Sequence, residues 1–261
     1  MSNQSTKILM IVEGAVRERT VMSHLLDVYG ISKSHEIVSY KTSIYDLYDR
    51  MFKDSDPEML DLLQVLKEYE QDEEIKKLFE VHYSDIILIF DMDPQAPLFT
   101  PEKISNMTEY FCESTENGKL YLNYPMVEAF YHMKSIPDPQ YDEYIVSERE
   151  LRNKGEFKRR VKRVNRSPYK KFAQTKEACD AVIEQNLRKA QKISGQEEKG
   201  TGLSMEKVLE TQLQYYLKDH LIFVLCTCIF YILDFNPGFV FFSEGQSSGA
   251  DGAAMNNRRV T

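Results

Sequence analysis

Three acidic residues stand where hydrophobic runs end, and that placement gives them chemical potential. Lys7 to Val12 (KILMIV) runs straight into Glu13-Gly14, and Ser84 to Phe90 (SDIILIF) runs into Asp91-Met92-Asp93-Pro94. A short apolar run closed by a polar turn reads as a buried strand. In an open parallel sheet, ligands bind beyond the carboxyl ends of the strands, near the point where strand order reverses. If these two strands are neighbours, Glu13, Asp91 and Asp93 converge on one edge. Like charges about 4 Å apart repel by about 4 kcal/mol per pair even at an effective dielectric of 20, so such a cluster calls for a cation. Oxygen-only ligands without His or Cys favour Mg²⁺ or Mn²⁺ over zinc, and those ions serve phosphoryl transfer by clamping the attacking and leaving oxygens.

Other residues could assist. Arg17 and Arg19 fall in the first turn after Glu13-Gly14, where free N–H groups and the helix dipole already favour an anion; they hold a substrate phosphate or simply face solvent. Lys119 enters a short strand, Lys119 to Leu122, and either neutralises a scissile phosphate or guards a sheet edge. Glu128 either extends the acidic edge or solubilises its helix. His24 and His132 have no second ligand at metal spacing and read as structural. Asp85 begins the third strand, at the end opposite Asp91, and reads as a solvated strand start.

The elements that must position these residues alternate. After the first strand, Val16 to Tyr29 carries apolar residues at helical spacing, with Gly30 as its stop. His35 to Tyr40 reads as a strand, Ile44 to Phe52 as a short helix and Pro57 to Phe79 as one long charged helix. After the third strand, Pro101 to Cys112 is a helix, Ser114 to Gly118 a turn, Lys119 to Leu122 a strand and Pro125 to Met133 a helix. Alternation of this kind predicts an α/β fold with a mostly parallel sheet of about four strands and flanking helices. Beyond Pro137-Asp138-Pro139 the composition turns charged and helical. This divides the chain into 1–138, a helical 139–242 containing the apolar run Leu221 to Leu233, and a polar Gly/Ser-rich tail, 243–261, of disordered composition.

The chain has 261 residues, 42% hydrophobic and 28% charged, enough for a buried core and unlike a fibrous or disordered protein. Its N-terminus turns acidic too soon for a secretory signal. The apolar run is shorter than the roughly 20 residues that a membrane helix needs, so the expectation is a cytoplasmic protein without a membrane partner. Four cysteines include no CxxC pair and read as buried thiols. The net charge of −8 hides a basic stretch from Arg149 to Lys176, with twelve Lys or Arg against two Glu. Arg159, Arg160, Lys162 and Arg163 lie at its centre, as a phosphate-binding patch or a solvated helix. No Gly-x-x-x-x-Gly-Lys loop occurs, so ATP binding of the P-loop kind is not expected.

The pattern Ile11-Val12-Glu13-Gly14, followed by Ile89-Phe90-Asp91-Met92-Asp93, within βα alternation of matching order over roughly residues 5 to 135, resembles the Toprim domain. Topoisomerases, primases and the OLD-type and other small Toprim nucleases of bacterial anti-phage defence share that domain. The resemblance implies a Rossmann-like sheet and metal-dependent phosphodiester chemistry. In it Glu13 is a metal ligand or acid/base, and Asp91 and Asp93 are metal ligands. The nuclease branch often has an acid four residues after the first Glu. Here Arg17 holds that position and Glu18 follows, so either the turn carries one extra residue or that ligand is missing. Asn123-Tyr124-Pro125-Met126-Val127-Glu128 is similar to an Asn-Pro-x-x-Glu-like segment of small defence-associated Toprim proteins.

The function implied is a nuclease acting on RNA, tRNA included, or on DNA, as the effector of a defence system with a separate ATPase partner. The charged half and the apolar run are its candidate partner or self-association surfaces. A non-catalytic Toprim-like scaffold and a primase-like nucleotidyl transferase stand as alternatives; the basic set that a nucleotidyl transferase needs cannot be identified, and the missing acid at position 17 favours the scaffold.

Overall fold

A computed structural model describes residues 7–53, 56–115, 117–165, 168–196 and 203–240. The tail expected from residue 243 lies outside them, as do Arg166 and Ser167 of the basic stretch. The chain order is β1 (Ile8–Val12), α1 (Arg17–Val28), β2 (His35–Ser39), α2 (Ile44–Phe52), α3 (Leu62–Tyr69), α4 (Glu73–Leu78), β3 (Asp85–Asp91), α5 (Pro101–Tyr110), β4 (Cys112–Glu113) and β5 (Gly118–Asn123). There follow β6 (Ile145–Ser147), α6 (Glu148–Arg152), α7 (Glu156–Asn165), α8 (Lys176–Ile193), α9 (Met205–Asp219), β7 (Leu221–Phe223) and α10 (Tyr231–Phe235).

The fold is α/β. Five strands form a sheet in the order β2-β1-β3-β5-β4. The first four are mutually parallel, and β4 turns back antiparallel on β5. The alternation predicts four of these strands; β4 is only two residues long and falls where the helix from Pro101 was expected to end, at Cys112, which the helix, closing at Tyr110, does not reach. The chain moves from β1 outward to β2, then crosses back over β1 to β3, so strand order reverses between β1 and β3. Right-handed crossovers then put α1 on one face and α2 to α5 on the other, and α2 does touch α5. β1 is buried at every residue, as is β3 from Ile87 onward, which is why both read as unbroken apolar runs.

Three expectations about elements need correction. Pro57 to Phe79 is a 3₁₀ turn and two short helices, because Asp61 and Asp72 accept N–H groups and start new helices in mid-pattern. Pro125 to Met133 forms only a 3₁₀ turn, Val127–Tyr131. The run from Leu221 is not one helix: it begins as β7, antiparallel to β6, and then lies against the end of β5, with Leu225 and Tyr124 exchanging two backbone hydrogen bonds of 2.8 Å. Ile222, Val224, Leu225, Cys226, Cys228 and Ile229 are fully buried, which rules the run out as a partner surface. Cys179 is buried as well, but Cys112 is exposed, because β4 lies at the sheet edge. Buried residues from before and after position 138 belong to one hydrophobic cluster. Among the described residues, no helix is long and apolar enough to cross a membrane.

Candidate metal centre

β1 and β3 are in register, with Val12 beside Ile89, so Glu13 and Asp91 leave adjacent strands at the switch point. The Glu13 N–H continues the ladder to Ile89 O at 3.0 Å, and its carboxylate Oε2 accepts the Asp91 N–H at 3.0 Å. Asp91 is buried, and its Oδ1 accepts the Val127 N–H at 2.9 Å and the Asn123 amide at 3.3 Å. Asp93 adopts φ +38°, a left-handed conformation that Asp tolerates better than most residues. Its N–H bonds to Pro125 O, while Tyr45 donates its hydroxyl to the Met92 carbonyl between the two acids.

Of positions 17 and 18, Glu18 is the one whose side chain turns toward the acidic edge. Val16 is not yet helical, so α1 starts one residue late and Glu18 is buried beneath the turn. Its carboxylate lies so close over Gly14 that a β-carbon there would meet Oε2 at 2.3 Å. A side chain at position 14 would therefore displace the end of Glu18. Arg17 lies instead over the Tyr169 ring, 4.8 Å from its centre, and that ring is stacked on Tyr131. Arg19 is exposed on α1.

The turn after β5 delivers the fifth acid. Glu128 is 2% exposed and pairs with Lys158 of α7 at 3.2 Å, while its Oε2 is buried with no hydrogen-bond partner. The Asn123-to-Glu128 segment thus supplies two donors to Asp91 and a carboxylate to the cluster. Asn123 is itself held by the backbone, its Oδ1 accepting the N–H groups of Thr227 and Cys228 at 3.2 and 3.3 Å.

The electrostatics follow from this crowding. Burial pushes Glu13 up to about 8, opposed by the Asp91 N–H and reinforced by Asp93, Glu18 and Asp46. Burial also raises Glu18, Asp93 and, most strongly, Asp91, and neighbouring carboxylates add to each. For Lys158, burial favours the neutral amine, but Glu128, Asp91 and Asp93 outweigh it and hold the proton more tightly than usual. One cation thus stands among five carboxylates.

The donor set fits a hard divalent cation: oxygen only, mutually repelling, with a buried carboxylate oxygen that no donor satisfies. Among the described residues no three His, Cys, Asp or Glu side chains are gathered as a preformed ligand set, so holding an ion would take rotation of these carboxyls toward one another.

Two sequence candidates are not at this edge. Lys119 opens β5 at the opposite end of the sheet, because β5 runs parallel to β3, and it pairs with Asp234 at 2.7 Å. Arg160 spends its guanidinium on Glu150 at 2.9 Å and the Ile145 carbonyl at 2.8 Å, so it fastens α7 to α6 rather than meeting a phosphate. Arg159, Lys162 and Arg163 are exposed on α7. His24 bonds to the Ala173 carbonyl, and His132 is buried between rings with neither nitrogen partnered.

Three residues that carry the geometry escape sequence reading. Lys158 is hidden among identical charges, although its place one residue after the core residue Phe157 sets its direction. Asn123 is visible in its motif but not as the support of Asp91. Gln95, whose amide donates to Asp93 at 3.0 Å, has no signal beyond its place in the loop.

No protein-family model, no curated protein and no solved structure matches this chain.

Proposed function

We propose that this protein is a divalent-metal-dependent nuclease of the Toprim type, cleaving phosphodiester bonds in RNA or DNA. The observation that carries the reading is the cluster of five carboxylates at the switch point, with a single lysine among the described residues to balance it. A structural cluster of buried acids would carry matching cations, whereas a site for a metal and a phosphate must leave its charge unmet. The motif resemblance points the same way.

Glu13, Asp91 and Asp93 would hold Mg²⁺ or Mn²⁺, with Glu18 and Glu128 within reach. When bound, such an ion supplies Lewis-acid stabilisation of the charge that develops on the phosphoryl oxygens. The protein's own groups do the rest. Asn123 and the Val127 N–H fix Asp91, so the other carboxyls would close on a central ligand that is already oriented. Glu13 Oε2 is occupied by the Asp91 N–H, leaving Oε1 either to join the ligands of the ion or to pass a proton to the leaving oxygen. Lys158 offers a positive charge to a non-bridging phosphate oxygen as it exchanges Glu128 for substrate. Arg159, Lys162 and Arg163 give sequence-independent attraction to the backbone. The reading extends to a role as a defence effector with an ATPase partner, and to self-association.

The test is incubation of the purified chain with labelled RNA, single-stranded DNA and duplex DNA in Mg²⁺, Mn²⁺ or EDTA. Metal-dependent cleavage that Glu13→Gln abolishes is expected. Cleavage unaffected by Glu13→Gln, or none with either metal and with any ATPase encoded beside it, would remove the nuclease assignment.

A further inference from the structure

A pocket of about 490 Å³ adjoins the acidic edge and shares Asp93 and Lys158 with it. Met126, Leu151 and Phe157 give it apolar walls, all three side chains being buried. Its outer side is the turn between α6 and α7, where Gly155 takes φ +74° so that the chain can reverse between two charged helices. That turn sets Arg152, Lys154 and Lys158 around the opening. Gln95 also lines it; its amide is committed to Asp93, and its carbonyl Oε1 is buried with no donor. The volume lies in the range of small-molecule sites.

Apolar walls, a buried carbonyl lacking an N–H, and a rim where Arg152, Lys154 and Lys158 outnumber Glu156 beside an acid cluster specify a ligand with an apolar ring face, ring N–H groups and attached phosphate. We infer that this pocket takes one unpaired nucleobase of the strand whose phosphodiester lies at the acidic edge, so the substrate is single-stranded or extruded nucleic acid and not a closed duplex. This rests on the nuclease reading and narrows it. In a duplex every base face is stacked and the ring N–H groups are paired, so a closed helix could present only phosphates to the rim. A wholly apolar ligand would leave Gln95 Oε1 without a donor and gain nothing from a rim where Arg152 and Lys158 are held at the opening by Glu148 and Glu128.

The test is binding, read by fluorescence anisotropy on the full chain carrying Glu13→Gln, in EDTA and in Mg²⁺. The probes are a labelled single-stranded oligonucleotide, RNA or DNA, the same sequence as duplex, and a series with one abasic residue moved along the strand. Loss of one stacked base should weaken binding about five- to hundredfold at one position of the abasic series, and duplex should bind more weakly than single strand by a similar factor. Phe157→Leu should shrink the abasic effect. Because the abasic series alters the ligand and leaves the protein intact, its result does not depend on that variant folding. Equal binding of every abasic strand overturns the pocket even if the wild-type protein cleaves nucleic acid. Base-dependent binding by a wild type that cleaves with neither metal, with or without an ATPase encoded beside it, supports the pocket and removes the nuclease reading.

Discussion

The two ends of the parallel sheet hold acids in opposite ways. At the amino end, Asp85 accepts hydroxyls from Ser84 and Ser114 at 2.8 and 2.7 Å, and Asp234 accepts Lys119 at 2.7 Å and the Tyr121 hydroxyl at 2.5 Å. Each acid there has its own donors. At the carboxyl end, five carboxylates share one lysine, and Glu128 keeps a buried oxygen with no donor. Both ends line pockets of similar size, about 380 and 490 Å³, so cavity volume does not distinguish them. Unmet charge does: it is a stability cost that folding alone would not retain.

The contrast breaks most sharply if charge is removed from each end. Glu13→Gln keeps shape and should cut cleavage by about a hundredfold or more while leaving the melting temperature within a few degrees. Asp234→Asn should do the reverse, sparing cleavage while weakening the Lys119 and Tyr121 contacts by roughly 1 kcal/mol. Cleavage and thermal melts on both variants decide it.

Metal linkage is the next largest effect. An ion at a hundred times its dissociation constant stabilises a fold by about 2.7 kcal/mol, so millimolar Mg²⁺ or Mn²⁺ should raise the melting temperature by several degrees. Asp93→Asn should abolish that rise. It should also raise the metal-free melting temperature at pH 8, because an acid whose pKa is raised on folding loses stability as pH climbs through its range. A metal-dependent shift that persists in Asp93→Asn would take that residue out of the site.

A buried neutral group gives the comparison a pH axis. Burial, with Arg160 and Lys189 nearby, lowers His132 to about 3. Its share of stability is present above the unfolded value of 6.5 and is lost as pH falls toward 3, amounting to about 2 kcal/mol by pH 5. The buried acids gain stability over the same interval, so the check is the difference: denaturant titrations at pH 7 and 5 should show His132→Leu changing more favourably than wild type by about 2 kcal/mol as pH falls.

Smaller effects sharpen the acidic edge itself. Gly14→Ala should displace only the flexible end of Glu18, lowering cleavage by about tenfold with a melting temperature within about 2 °C of wild type. A large loss of stability instead would make Gly14 a backbone requirement. Replacing Arg159, Lys162 and Arg163 by Gln should flatten the salt dependence of single-strand binding by up to about 0.7 per lost contact, and an unchanged slope would leave α7 to some other partner.

Much of this was legible where one force acts alone. β1 and β3 announce themselves because both faces are buried, and the ends of such runs locate Glu13, Asp91 and Asp93. Reading fails where neighbours decide. Whether Arg17 or Glu18 faces the acids depends on a single non-helical residue, Val16. Lys119 looks like a site residue until the direction of β5 carries it to the far end. Pro57 to Phe79 keeps helical spacing across Asp61 and Asp72, yet their side chains compete for the backbone. Twelve similar cations give no hint that Lys158 is the one that meets Glu128.

The hold that Thr227 and Cys228 keep on Asn123 bears on how this chain could be divided. Asp91 takes its orientation through Asn123 from a peptide segment more than a hundred residues downstream, and the Tyr124–Leu225 pairing anchors that segment to the same strand end. A gene fragment ending near Pro139 would encode every acidic ligand and still release the clamp that aims the central one. Recombination at that point would therefore transplant the carboxylates without the geometry that makes them useful, and a truncation meant to isolate the chemistry would discard part of it.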